Sequence, residues 1–211
     1  MKLDDAAKAV EDFAKALELD STDEDTLGDL IRAKIHLGDR EGALKFLDRL
    51  IDAEPQAGRL YYSRARLRSD FREFAPSLPD YDKAIALAPG QAPYHHYRGG
   101  VRAALNDWPG SAADFGRAVE LDSKNAWSHA GLGFAKLRCG ETDEALKECE
   151  EALRLETKDA TLYPVRGRVR LARKEYAEAL KDFEKAVSLW AELEPEVAPY
   201  VAECRKHLPK E

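Results

Sequence analysis

Histidines, cysteines, carboxylates and arginines are the side chains of this 211-residue chain that could do chemistry. Their spacing decides which of them can act together. His95 and His96 are adjacent, so on a helix they point to different sides, and His36, His129 and His207 lack a partner three to five residues away. Cys139 and Cys149 stand ten apart, which fits no compact zinc pattern, and with Cys204 they are too few for a disulfide framework. Carboxylate pairs such as Asp4-Asp5 and Glu150-Glu151 fall on faces expected to be solvated. No candidate nucleophile has a base in register, and no glycine-rich phosphate loop follows a strand. The residues therefore argue against an enzyme, a metal site or a cofactor. The arginines are more informative. Arg64, Arg98 and Arg166 each precede an aspartate by sixteen residues, namely Asp80, Asp114 and Asp182. Where the arginine is absent, as at Leu30, the partner position is apolar too, Phe46. Leu132 and Glu148 break the rule. An ion pair between two helices is the simplest reading, one that fixes register more reliably than it adds stability.

Such a recurrence requires elements that repeat. The phrase Asp12-Phe13-Ala14-Lys15-Ala16 returns as Asp80-Tyr81-Asp82-Lys83-Ala84, Asp114-Phe115-Gly116-Arg117-Ala118 and Asp182-Phe183-Glu184-Lys185-Ala186. The aromatics are separated by multiples of 34, and the two gaps are filled by Leu47 and Cys149. A small-residue column runs Ala9, Ala43, Ser77, Ser111, Ala145, Ala179 without an insertion. Units are counted here from Glu24, Gly58, Ala92, Ala126 and Ala160 as position one, and residues 1–23 supply only a second half. Each unit reads as two helices. In the second half the small residue, the aromatic and an alanine fall at spacings of four and three, one face of a helix. Breakers separate the halves (Gly38-Asp39, Asn106 to Gly110, Gly140-Glu141), and stop signals followed by caps separate the units (Asp20 to Asp23, Glu54-Pro55, Ala88 to Gly90, Asp122-Ser123, Glu156-Thr157). Pro76 and Pro79 predict that the second helix of the unit at 58 starts late. No run alternates with period two, so no sheet is predicted.

The pattern resembles the tetratricopeptide repeat family. The period of 34, the small residue at position eight (Ala65, Gly99, Gly133, Gly167), the alanine at twenty, the aromatic at twenty-four, the alanine at twenty-seven and the proline at thirty-two (Pro55, Pro89) all match. The aromatic expected at position eleven is instead basic throughout: Lys34, Arg68, Arg102, Lys136, Arg170. The resemblance implies an all-α superhelix of about 12 antiparallel-paired helices. The solenoid is expected over residues 1–193, as a half repeat 1–23 and repeats starting at 24, 58, 92, 126 and 160, with a charged capping helix and tail at 194–211. The absent first half is what a fragment of a longer chain would show. The family's carboxylate clamp needs Lys at position five and Asn at positions nine and six. Here position five reads Gly28, Tyr62, His96, Ala130 and Pro164, so chaperone-tail binding is not inherited.

In the family the first helices line the concave wall. The first-helix segments 58–71, 92–105, 126–139 and 160–173 hold 12 basic residues and one acidic residue, a charge of +11, which leaves −18 on the rest of a chain of net −7. A like-signed concave wall attracts the opposite sign. The position-seven arginines are spoken for, and the position-eleven bases are expected to lay their stems on the helix pair and send their charge to water. The groove is then expected to present Arg32, Arg59, Arg66, Arg138 and Arg168, interleaved with Tyr62, His96, Trp127 and Phe134. Arginine with aromatics is the composition of binding hot spots. A merely solvated face is the plainer reading, and Trp127 could equally fill core at a repeat junction. The expected function is an interaction scaffold that takes an acidic or carboxylate-ended protein segment. A second reading is self-association through the half repeat, whose apolar face carries Val10, Phe13 and Leu17. Net negative charge weighs against nucleic acid. No stretch approaches a membrane span and the N-terminus has no apolar signal core, so a cytoplasmic protein with reduced thiols is expected.

Overall fold

In a computed structural model, residues 3–19 and 23–209 are described, and among them every regular element is a helix. The expected break at Asp20 to Thr22 lies outside the described residues, as do the side chains of Asp4 and Asp5. Two compact units divide the chain, residues 1–89 and 90–211. The first holds α1 (Leu3–Leu19), α2 (Glu24–His36), α3 (Arg40–Ala53), α4 (Gly58–Asp70) and α5 (Phe74–Leu87). The second holds α6 (Ala92–Ala104), α7 (Trp108–Leu121), α8 (Ala126–Arg138), α9 (Thr142–Leu155), α10 (Leu162–Ala172), α11 (Tyr176–Leu189), a single 3₁₀ turn Ala191–Leu193 and α12 (Glu194–Lys206). Helices pair as sequential hairpins, α4 with α5, α6 with α7, α8 with α9 and α10 with α11.

The turn inside each hairpin is the same object five times. Gly38, Arg72, Asn106, Gly140 and Lys174, spaced 34 apart, all adopt positive φ between 62° and 87°. Around each, the two following-turn N–H groups reach back to the last carbonyls of the first helix. Asp39 N donates to Lys34 O at 2.8 Å and Gly38 N to Ile35 O at 2.9 Å, and Glu175 with Lys174 repeats this onto Arg170 and Leu171 at 2.9 and 3.0 Å. This is the Schellman ending, which satisfies orphan carbonyls and reverses the chain. The next helix starts at once. Asp39 and Asp107 cap it by accepting from Gly42 N at 2.9 Å and Gly110 N at 3.0 Å.

The second helix of the unit at 58 does not start late. α5 begins at Phe74 and has the same 14 residues as α7. Pro76 lies in its first turn, where an N–H has no helical acceptor, and only Pro79 is interior. One helical hydrogen bond is lost there, while the buried Ser77, Asp80, Tyr81 and Ala84 hold the rest of the face.

Small residues set the approach of paired helices. A Cβ on Gly167 would stand 2.7 Å from the ring of Phe183, and one on Gly133 would stand 2.6 Å from Cys149 Sγ. Cys149 thus fills the aromatic position as a buried small hydrophobe, and burial pushes its thiol up to about 12. In the first unit Leu17, Leu27, Leu30, Phe46, Leu47 and Leu60 form one core. Leu17 is therefore inside and is not part of an exposed N-terminal face, whereas Phe13 stays half-buried. α12 is more than a solubilising cap. Its Val197 and Cys204 are buried against α11, and Tyr200 stacks on Phe183 with centroids 5.5 Å apart.

Left-handed backbone costs an ordinary residue about 1–2 kcal/mol. Lys174 is exposed at φ 64°. Lys174→Gly should therefore raise the melting temperature by a few degrees, and Gly140→Lys should lower it. Calorimetry of the two variants checks both signs.

Candidate functional site

Asp80, Asp114 and Asp182, at position twenty-three, each sit on a second helix and face two first-helix residues one turn apart. Arg64 grips Asp80 in a two-pronged bond, Nε to Oδ2 at 2.9 Å and Nη2 to Oδ1 at 2.6 Å. Arg98 holds Asp114 at 2.9 and 2.5 Å, and Arg166 holds Asp182 at 3.0 and 2.6 Å. The sequence pairing is thus an interhelical ion pair in all three hairpins. The position-eleven bases behave differently from expectation. Arg68, Arg102 and Arg170 turn inward and donate to the same aspartates at 2.7, 2.9 and 2.9 Å. A buried carboxylate has lone pairs beyond those that one guanidinium fork fills, and a second cation satisfies them. Hydrogen bonds to Asp80 hold the Arg64 guanidinium well above its ordinary range. In the hairpin that breaks the rule, Glu148 accepts instead from His129 Nδ1 at 2.7 Å, while Nε2 of that ring lies 3.2 Å from Ser123 O.

These clusters consume most of the basic wall. In the second unit the first-half segments carry eight Lys or Arg, and six are paired: Arg98, Arg102, Lys136, Arg166, Arg170 and Arg173. Arg138 and Arg168 are the two with no carboxylate within reach among the described residues. Both lie on aromatic faces. Arg168 stands 4.5 Å from the centroid of Phe134 and 5.2 Å from that of Tyr200, and Arg138 stands 4.4 Å from Trp108. Trp108 meets Phe134 edge-on at 5.7 Å, which joins the set into one ladder, Arg138, Trp108, Phe134, Arg168, Tyr200. Aromatic faces orient a guanidinium without neutralising it, and each contact contributes about 0.5–2 kcal/mol.

The other expected site residues are placed as follows. His96 is half-buried, with Nδ1 2.9 Å from Ser128 Oγ and its ring edge-on to Phe115 at 5.3 Å. This Ser–His pair is not poised for catalysis, because Ser128 is 1% exposed. Trp127 keeps 50% of its surface exposed, which removes the core-filler reading, but it stacks on no member of the ladder. In the first unit Arg66 lies 5.9 Å over Tyr62, itself edge-on to Tyr81. Arg59 is drawn to Glu54 at 3.0 Å and Arg32 to Asp29 on its own helix, so both are already paired. Sequence reasoning missed Trp108 and Tyr200. Trp108 looked like part of a breaker, and Tyr200 occupies position seven of the unit after 160, the column of the paired arginines. No group of three or more metal-ligating side chains occurs among the described residues.

Two consequences can be measured. Asp182→Ala strands Arg166 and Arg170 and should cost about 3–5 kcal/mol of stability by denaturant unfolding, whereas Glu178→Ala on the exposed side of α11 should leave the unfolding curve almost unmoved. Burial lowers the pKa of His96. The stability held by its neutral form is present above the unfolded value of about 6.5 and is lost as pH falls through the lower folded value. His96→Gln should flatten the decline in melting temperature below about pH 6.5; parallel curves would contradict the assignment.

The comparisons with known proteins bear on the fold. The family model for the tetratricopeptide repeat matches residues 1–67. No curated protein matches the sequence. Among solved structures, the chain is similar to YrrB, described as a TPR protein with an unusual peptide-binding site, at 19% identity and a TM-score of 0.71 over 93% of this chain and 99% of that one. It is similar to MamA at 21% identity and a TM-score of 0.69, over 82% of this chain and 97% of that one. A match to the APC/C hetero-tetramer Cut9-Hcn1 has 16% identity and a TM-score of 0.77, and covers 95% of this chain and 40% of that one. The family model thus covers residues 1–67, and over the rest of the chain the period of 34 and the hairpins built on it give the fold that these solved structures share.

Proposed function

We propose that this protein is an interaction scaffold whose second unit takes an acidic or carboxylate-ended peptide segment along the Arg138–Arg168 ladder. The coarser part follows from the fold, since hairpin repeats of this family serve as protein-interaction frames. The finer part is carried by one observation. Arg168, held over Phe134 and Tyr200, lacks an acidic partner in a chain where neighbouring arginines have one. An oriented guanidinium with open donors suits a carboxylate, and the flanking rings suit an apolar anchor of the same segment. In the first unit Arg66 also lies over a ring, that of Tyr62. The acidic balance of the rest of the chain favours a peptide over a nucleic acid.

The repeats starting at 24, 58, 92, 126 and 160, followed by the helix and tail at 194–211, are the proposed division of the chain. A cytoplasmic setting is supported by three unpaired cysteines. No described helix is long and apolar enough to cross a membrane. A non-catalytic role is proposed, as nothing in the site pairs an accessible nucleophile with a base.

Fluorescein-labelled acidic peptides carrying one leucine, with free or amidated C-termini, test the reading. Arg138→Glu with Arg168→Glu should weaken binding at least about tenfold, as expected for lost charged hydrogen bonds, and should flatten its salt dependence. Equal affinity and salt dependence in wild type and double variant would remove the proposal. A preference for the free carboxylate identifies the chain end as the anchor, and loss of binding on amidation alone has the same meaning.

A further inference from the structure

Trp127 is a large side chain that the packing of the second unit leaves unused. It is half exposed, and it makes no ring contact and no side-chain hydrogen bond among the described residues. The aromatics around it are engaged: Trp108 meets Phe134, and Phe115 meets His96. Helical spacing fixes where Trp127 stands. Residues 127, 131, 134 and 138 recur at intervals of four, three and four, so Trp127 shares one face of α8 with Phe134 and Arg138, two members of the ladder. α8 runs without interruption from Ala126 to Arg138. The seven residues from Trp127 to Phe134 therefore span about 10 Å of its axis, at about 1.5 Å each.

No large side chain rises from the face between them. Ala130 is buried, and Gly131 has no room for one, since a Cβ there would stand 2.6 Å from the ring of Phe115. α6 lies alongside, joined to α8 by His96 Nδ1 at 2.9 Å from Ser128 Oγ. Its Gly100 holds the same repeat position as Phe134, and a Cβ on it would meet nothing within 4 Å. A bound segment can thus pass from the ladder to Trp127 over a low floor. The distance sets its form. In a polyproline-II segment residues three apart point to the same side, about 9 Å from one another. Same-side residues of a pleated strand lie about 7 or 13 Å apart, which misses the span. A helical segment would need a separation of seven residues, and a short helix must first overcome its costly nucleation. The extended form costs less to order.

We infer that Trp127 is the apolar subsite of the peptide site, and that the partner is an extended segment with a leucine-like residue three positions from the acidic group that meets Arg138 and Arg168. This rests on the peptide-binding reading and adds to it the partner's spacing. The occupant follows from the two ends of one helix face. The ladder end offers guanidiniums without a carboxylate, which suit an anion, and the Trp127 end offers an uncovered ring with no charge beside it on that face. One rigid helix holds the two ends apart, so the site measures separation along the partner as well as composition.

Fluorescence anisotropy with a peptide panel tests it. Each labelled peptide carries one aspartate and one leucine in a glycine–serine background with blocked ends, the leucine placed one to seven positions from the aspartate on either side. A peptide without leucine is the control. The full chain is compared with Trp127→Ala, Trp127→Phe and the pair Arg138→Glu with Arg168→Glu, and circular dichroism verifies that each variant folds. The tightest peptide should have a spacing of three. Trp127→Ala should weaken it about tenfold, to the level of the control peptide, while Trp127→Phe keeps most of the affinity. The control should bind wild type and Trp127→Ala equally. A best spacing other than three overturns the inference. So does a Trp127→Ala protein that binds every peptide as the wild type does, or that weakens the control as much as the rest. Binding that survives the arginine pair removes the peptide site itself, whereas binding that needs the arginines and ignores Trp127 removes this inference alone.

Discussion

A carboxylate buried between two arginines one helical turn apart is the constraint on which much of this structure depends. Asp80, Asp114 and Asp182 are nearly inaccessible, and each is held by a bidentate guanidinium and by a second one. An aspartate in that position without the cations would be intolerable, and so would the cations without the aspartate. The cluster therefore ties the second helix to one register on the first. In two of these hairpins, those of Asp114 and Asp182, glycine at position eight lets the backbones approach and gives no register of its own, as at Gly99 and Gly167. Where the hairpin is held by apolar contacts instead, as with Leu30 and Phe46, both partners are missing together.

The same constraint has an electrostatic consequence for function. The first-helix segments carry +11 by composition, but most of their bases already engage a carboxylate, so the bulk charge is a poor guide to what they attract. What remains are guanidiniums held by rings. A cation oriented by Phe134 and Tyr200 keeps its charge and its outward donors. An ion-paired neighbour such as Arg166 has its fork already occupied by Asp182. Selectivity for an anionic segment thus depends on a few side chains on a common frame, which is how repeat proteins diversify.

The frame itself shows how little side-chain chemistry a turn requires. Gly, Arg, Asn, Gly and Lys occupy the five left-handed positions, and the backbone hydrogen bonds around them are the same. Two glycines meet the geometry at no steric cost, and three other residues hold it because the helices on both sides fix it. Pro79 inside α5 makes the same point, since a buried face outweighs one missing hydrogen bond.

The sequence by itself determined the period, the hairpin, the helix kind at each position and the pairing of Arg64, Arg98 and Arg166 with their aspartates. All of these are local or repeat every 34 residues, so each column is a set of internal replicates. It also showed Cys149 as a core residue, because the column around it is apolar. Only the tertiary structure decided that the position-eleven arginines turn inward, that Arg32 and Arg59 are already paired, and that Trp108 and Tyr200 complete the ladder. Those outcomes depend on which neighbours a flexible side chain can reach across a helix interface. A long guanidinium has several reachable partners within the same repeat pattern, and spacing along the chain does not choose among them.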